Sequence, residues 1–168
     1  MAAKVKMKGL VYVYTGDGKG KTTAAIGSAV RAAGHGKRAV IIQFMKKGDY
    51  GEKRSSLEIH QFGREQFVFE PEERDYELAA EGISFAGKVL EDRPFLLVLD
   101  EINVAVSMGL VGIDDVLNIV EKRGETNIIL TGRNALREFI DAADLVTEMK
   151  KVKHPFDKGM EGREGLEY

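Results

Sequence analysis

The chain of 168 residues contains no cysteine. Disulfides, thiolate nucleophiles and zinc-thiolate sites are thereby excluded, and a reducing compartment is permitted. No apolar run approaches the roughly 20 residues of a membrane-spanning helix, and residues 1–8 are basic without the apolar stretch of a secretory signal. A cytoplasmic protein without membrane association is the expectation. An excess of one charge is missing as well: 25 basic against 27 acidic residues leave a formal charge of -2. No basic field of the kind that holds nucleic acid follows from that balance, so nucleic acid is not an expected partner. The length suits a single domain over residues 1–168, large enough to bury a core without a structural metal. No internal repeat, low-complexity tract or linker interrupts it.

What is present is a regular alternation of elements. The short, β-rich run 9–14 ends at a Gly/Asp/Lys cluster and precedes the helix-forming stretch 22–33, which predicts strand, loop, helix. Gly34 and Gly36 close that helix, and the β-branched run 38–44 predicts a second strand. Residues 46–63 are polar and charged around one short candidate strand, 57–62, with Gly48, Gly51 and Gly63 as breakers, and read as mobile surface. Pro71 opens a charged segment whose apolar positions Leu78, Ile83, Phe85, Ala86, Val89 and Leu90 approach helical spacing, ending before Pro94. Runs 95–99 and 127–130 are apolar without alternation, the pattern of central parallel strands covered on both faces. Segments 116–120 and 135–140 predict further helices, and 145–149 a last strand. The whole predicts an α/β fold with a mostly parallel central sheet and helices on both faces. The polar, glycine-containing tail 150–168 would by itself read as a disordered end.

Between the first strand and the first helix lies Thr15-Gly16-Asp17-Gly18-Lys19-Gly20-Lys21-Thr22-Thr23. Glycines let successive backbone N–H groups turn toward phosphate oxygens, and a helix starting near Lys21 adds the positive end of its dipole. Lys21 is the candidate for reaching the phosphates, and the Thr22 hydroxyl the candidate ligand of Mg2+. The bland alternative is a glycine-rich turn that merely joins strand to helix. Thr15 stands where the usual loop has glycine, so the loop is a variant. The fold expectation sharpens accordingly to a P-loop NTPase-like, RecA-like sheet.

A phosphate loop needs a carboxylate at the end of a neighbouring strand to hold the metal, and Leu96-Leu97-Val98-Leu99-Asp100-Glu101 supplies one. Asp100 and Glu101 are the candidate metal residues beside Thr22; the alternative is an acidic pair capping the next helix. In many ATPases the second carboxylate orients the attacking nucleophile. A P-loop ATPase or small-molecule kinase using Glu101 therefore stands as an alternative function, as does a non-enzymatic ATP-binding module.

Other segments follow in order: Gln43-Phe44-Met45-Lys46, Gly51-Glu52, Asp100-Glu101-Ile102-Asn103, Thr131-Gly132-Arg133, residues 143–149, Val152-Lys153-His154-Pro155-Phe156 and the closing Gly165-Leu166-Glu167-Tyr168. Together with the phosphate loop they resemble the P-loop family of ATP:corrinoid adenosyltransferases over nearly the whole chain. The resemblance implies a reaction in which Co(I) of a corrinoid attacks C5′ of ATP and expels inorganic triphosphate, within adenosylcobalamin synthesis or salvage. ATP is then co-substrate with Mg2+, and the corrinoid is cobalamin, cobinamide or a cobyrinic acid derivative. An electron-donating reductase and a homodimer are implied partners. The roles implied for this chain are neutralisation of the leaving triphosphate by Lys21, by N–H groups near Gly18 and Gly20 and by Arg133, with Asn103 touching ribose or corrinoid. The resemblance further implies that ATP lies along the loop in the reversed direction, which agrees with Thr15. The family also presses two aromatics on the lower face of the corrinoid, in the pattern Phe-x-Trp; the corresponding residues here are Phe67 and Phe69, the second a departure. A longer extension often precedes the family's first strand, where this sequence has about eight residues. His154 lacks the spaced partners of a metal site and is expected to position the tail over the nucleotide or the sheet.

Overall fold

Period-two alternation decides how each strand is covered, and in this protein most strands are apolar at both parities. The computed structural model describes residues 7–65 and 68–168. In chain order the elements are β1 (Val11–Thr15), α1 (Lys21–Gly34), β2 (Ala39–Phe44), β3 (Glu58–Phe62), α2 (Glu73–Glu91), β4 (Leu96–Asp100), α3 (Ile102–Ser107), α4 (Ile113–Lys122), β5 (Asn127–Thr131), α5 (Arg137–Ala142) and β6 (Leu145–Glu148). The strands form one six-stranded sheet in the order β3-β2-β4-β5-β1-β6, with every neighbouring pair parallel. β4 and β5 are the central strands that their unbroken apolar character predicts.

One parity, Val11, Val13, Val40, Ile42, Phe44, Leu97, Leu99, Ile128 and Leu130, packs against α2 to α5 through Ala79, Ala86, Ala105, Val116, Ile119 and Phe139. The other parity, Ile41, Leu96, Val98 and Ile129, packs against α1 through Ala25, Ala29 and Ala32. These alanines recur at the helical spacing of one face, and their small side chains let α1 lie close to the sheet. That closeness brings the N-terminus of α1 to the carboxyl ends of β1 and β4, where open parallel sheets form their ligand clefts.

Residues 46–63 carry more structure than their composition implies. β3 pairs with β2 at five successive positions, and a 3-10 turn, Gly51–Arg54, precedes it. The Gly48 N–H donates to Gln61 Oε1 at 3.1 Å, which closes the intervening loop. α3, a six-residue helix directly after the acidic pair, is too short to show a helical period in the sequence. No helix among the described residues is long and apolar enough to cross a membrane.

Candidate functional site

Parity also builds the site. Gln43, Asp100 and Thr131 continue the α1-facing rows of β2, β4 and β5 by one step, at the carboxyl ends of those strands; Gln43 stands in register with Asp100. All three side chains are buried, so each polar atom needs a partner. Asp100 is the hub. Its Oδ1 accepts the hydroxyls of Thr22 at 2.8 Å and Thr131 at 2.6 Å, and its Oδ2 accepts Gln43 Nε2 at 3.2 Å and faces the Lys46 ammonium at 3.5 Å. The same Gln43 amide donates to Glu52 Oε1 at 3.1 Å, and its Oε1 accepts from Gln61 at 3.0 Å. A chain of bonds thus ties the start of α1, at Thr22, to four strands and to the 3-10 turn.

The loop from Thr15 to Gly20 is shaped by the strand beside it. Met149 donates its N–H to Thr15 O at 2.8 Å and accepts the Gly18 N–H at 2.6 Å. A Cβ at Gly16 or Gly18 would stand 2.5 and 2.6 Å from the Met149 carbonyl oxygen, and Gly16 has φ 95°; only glycine fits at either position. Gly20 caps α1, whose first turn holds no acidic residue and whose cap makes no side-chain hydrogen bond. The first N–H groups of α1 are therefore left to an anion, with the helix dipole behind them. At α2, by contrast, the Glu72 N–H donates to Asp75 Oδ2 at 2.9 Å and Arg64 grips the same carboxylate.

Two cavities adjoin at this end of the sheet. The first, about 410 Å³, is lined by Lys19, Gly20, Lys21, Thr22, Thr23, Ile26, Lys46, Gly51, Glu52, Glu101 and residues 165–168. The second, about 350 Å³, is lined by Phe44, Met45, Lys46, Lys47, Tyr50, Arg64, Glu65, Glu101, Val104 and Arg133. Lys46 and Glu101 belong to both. Lys21 is 7 % exposed and its ammonium donates to the carbonyls of Gly16 and Gly18, each at 2.8 Å. Burial holds its pKa below the ordinary lysine value; Arg133 acts in the same direction and Glu101, Asp17 and Asp100 against it. Burial, and next the charge of Asp100, push the Glu101 carboxyl above its usual range, against the pull of Lys46, Lys21 and Arg133. Glu101 occupies the left-handed region at φ 61° and ψ 14°, a strain of order 1–3 kcal/mol for a residue with a side chain. Its N–H donates to Thr131 Oγ1 at 3.0 Å, which holds that conformation.

Not every residue singled out in the sequence faces a cavity. Lys19, Gly20, Lys21, Thr22, Thr23 and Glu101 line the first and Arg133 the second. Thr15 instead accepts the Ala135 N–H on its hydroxyl at 3.2 Å, and Asp17 is exposed. The Gly18 N–H, expected to face the triphosphate, is taken by Met149. Asn103, expected at ribose or corrinoid, is fully buried, and its amide donates to Gly132 O at 3.0 Å; it fixes the turn that presents Arg133. Its Oδ1 is buried without a partner among the described residues. Phe69 is 86 % exposed, and Phe67 lies outside the described residues. His154 accepts the Phe156 N–H on Nδ1 at 3.1 Å and caps the 3-10 turn Pro155–Lys158, a local role within the tail.

Gln43, Lys46, Glu52 and Thr131 were given no role from the sequence, although they sit inside the motifs quoted above. A signal existed: Gln43 is the lone polar residue of an otherwise apolar strand, and a polar residue at the carboxyl end of a buried parallel strand marks a ligand cleft.

Comparison with known proteins agrees with this geometry. A model of the family described as ATP:corrinoid adenosyltransferase BtuR/CobO/CobP matches residues 7–168. A corrinoid adenosyltransferase of a Sinorhizobium species is 37 % identical over 181 residues, spanning 100 % of this chain and 84 % of the relative. The corrinoid adenosyltransferase CobA of Salmonella typhimurium is 37 % identical over 96 % of this chain and 86 % of its own length. A corrinoid adenosyltransferase of Escherichia coli K12 is 35 % identical with the same coverage. With a family match that runs from ahead of β1 through the cavity-lining residues 165–168, this chain belongs to the ATP:corrinoid adenosyltransferase family.

Proposed function

We propose that this protein transfers the 5′-deoxyadenosyl group of ATP to the Co(I) of a corrinoid and releases inorganic triphosphate. The observation that carries this reading is the pair of adjoining cavities with Lys46 and Glu101 in their common wall. A hydrolase needs only the polyphosphate cavity. Transfer between two substrates needs a second, contiguous space, and the larger apolar groups of Phe44, Met45 and Tyr50 lie on that side. In the reaction the cobalt electron pair forms a Co–C5′ bond as the C5′–O5′ bond breaks, and the electrons of that bond leave with the triphosphate. The protein's part is to hold C5′ in line and to stabilise the charge gathering on the leaving group. Lys21, Lys19 and the N–H groups at the start of α1 stand where that charge develops, and Arg133 approaches from the second cavity.

Mg2+ fits this arrangement. Thr22 and Asp100 bring hard oxygen donors together at 2.8 Å, with Glu101 next in the chain. Among the described residues no group of three or more His, Cys, Asp or Glu side chains is gathered to hold a metal, which suits an ion shared with substrate phosphates and water. When bound, the ion supplies charge neutralisation to the polyphosphate. Asp100 is kept in position by Thr131 and Gln43, so the metal-binding carboxylate is preorganised.

A single cytoplasmic domain is the reading that length and composition support, and the remaining elements rest on the resemblance: a homodimer, supplied with electrons by a reductase, with Phe67 and Phe69 at the lower face of the corrinoid. The test is product analysis with ATP, Mg2+ and chemically reduced cobalamin. Inorganic triphosphate together with an adenosylated corrinoid is the expected outcome; ADP would show phosphoryl chemistry through Glu101 and sink the assignment, and intact ATP would leave a binding module.

A further inference from the structure

The closing motif Gly165-Leu166-Glu167-Tyr168 has no part in the chemistry above, yet it forms one wall of the polyphosphate cavity. The Glu167 carboxylate is ion-paired with the Lys19 ammonium, a lysine of the phosphate loop itself. The segment is folded as a hook: Glu167 N–H donates to Arg163 O and Gly165 N–H to Tyr168 O, each at 2.8 Å. On its far side it meets the 3-10 turn, where a Cβ on Gly51 would lie 3.9 Å from the Tyr168 carbonyl. Resting on the proposed use of this cavity for polyphosphate, we propose that residues 165–168 are an electrostatic gate, in which Glu167 occupies Lys19 and is exchanged for phosphate as the nucleotide enters and leaves.

Two considerations carry it. A polyphosphate and the Glu167 carboxylate are both anions and compete for the same ammonium, and like charges forced together in a confined space repel strongly. The segment is also lightly held. Leu166 is 69 % and Tyr168 49 % exposed, so no buried side chain anchors it, and an ion pair between half-exposed groups contributes little. Such a contact opens readily, and it returns a competing anion to Lys19 at the moment when a highly charged product must depart. Release of triphosphate is thus assisted by a carboxylate of the protein itself.

The test uses the full-length chain and inorganic triphosphate as probe, measured calorimetrically beside ATP. Glu167→Gln keeps the shape of the side chain in an exposed position and removes the competing charge. Triphosphate and ATP are expected to bind roughly two- to five-fold more tightly than to wild type at low salt, the range of an exposed ion pair. The gain should vanish near 1 M salt, where the screening length is about 3 Å. Removing residues 165–168 should give the same tightening. Unchanged or weaker binding by Glu167→Gln, or weaker binding after the removal, would overturn the gate and make the segment a fixed wall. Should wild type bind neither ATP nor triphosphate, the polyphosphate reading of the cavity falls as well; binding by wild type without tightening in the variant sinks the gate alone.

Discussion

Thr22 and Asp100, 78 positions apart in sequence, are joined by a hydrogen bond of 2.8 Å from the threonine hydroxyl to the carboxylate. One residue lies in the first turn of α1 and the other ends β4, so this contact sets the helix start against the sheet. Two oxygen donors are thereby held together before any ion or nucleotide arrives.

Lys21 and Thr22 provide the first prediction. Lys21→Ala removes the ammonium held by Gly16 and Gly18, and Thr22→Ala removes the hydroxyl facing Asp100. Each should lower turnover by about 100-fold or more, the loss typical of a group that stabilises developing charge. Circular dichroism should show the fold intact, since neither side chain belongs to the two apolar clusters. Wild-type rates in a folded variant would remove both residues from the machinery.

The sequence made the sheet legible because burial on both faces leaves strong marks: the runs 95–99 and 127–130 lack alternation and became β4 and β5. The phosphate loop was legible through its glycines, whose spacing follows from close contact with Met149. What could not be read was side-chain direction. Gln43, Thr131 and Lys46 converge on Asp100 only because parallel register brings three strand ends level. Asn103 was placed at the ligand by motif alone, whereas α3 turns it inward to Gly132. The short α3 itself follows a left-handed Glu101, a backbone feature that no periodicity announces.

The acidic pair gives the second prediction. Asp100→Ala and Glu101→Ala should raise the magnesium concentration for half-maximal activity by about 10-fold or more, the scale on which losses around a metal site are felt. A magnesium titration of each purified variant decides the matter. An unchanged midpoint for Asp100→Ala would leave that carboxylate as a structural acceptor for Thr22, Thr131 and Gln43.

Glu101 also makes a prediction about stability. Its folded pKa is raised, first by burial and then by Asp100, so the folded protein holds this proton more tightly than the unfolded chain does. Stability from that group is fully present below the ordinary carboxyl value of 4.5 and is lost as pH rises through the raised folded value. In magnesium-free buffer, thermal melts of Glu101→Gln should show a smaller loss of stability across that window than wild type, and a higher Tm at neutral pH. The same variant should be poorly active, so function and stability part at this residue. Parallel pH profiles for the two proteins would refute a buried, destabilising charge.

The last prediction concerns Phe69 and the route to Co(I). A corrinoid whose lower ligand remains bound to Co(II) is hard for mild reductants to reduce, and displacing that ligand eases the reduction. An aromatic pressed against the lower face in a water-poor pocket does this by excluding the ligand. Phe69 is 86 % exposed, so it is not a core residue of the free chain, and a large apolar surface held toward solvent suits contact with a ligand. It lies in the segment between β3 and α2, five positions after Arg64, which lines the second cavity. Phe69→Ala should lose most of its activity when the substrate is Co(II)cobalamin with a mild reductant. It should lose much less when cobalt is supplied as Co(I), because Lys21, Thr22 and Asp100 are untouched. A corrinoid lacking the lower base should also be less sensitive. Removing an exposed aromatic costs the fold little, so the unfolding free energy should hold within about 1 kcal/mol. Equal losses with all three substrates would remove Phe69 from displacement of the lower ligand.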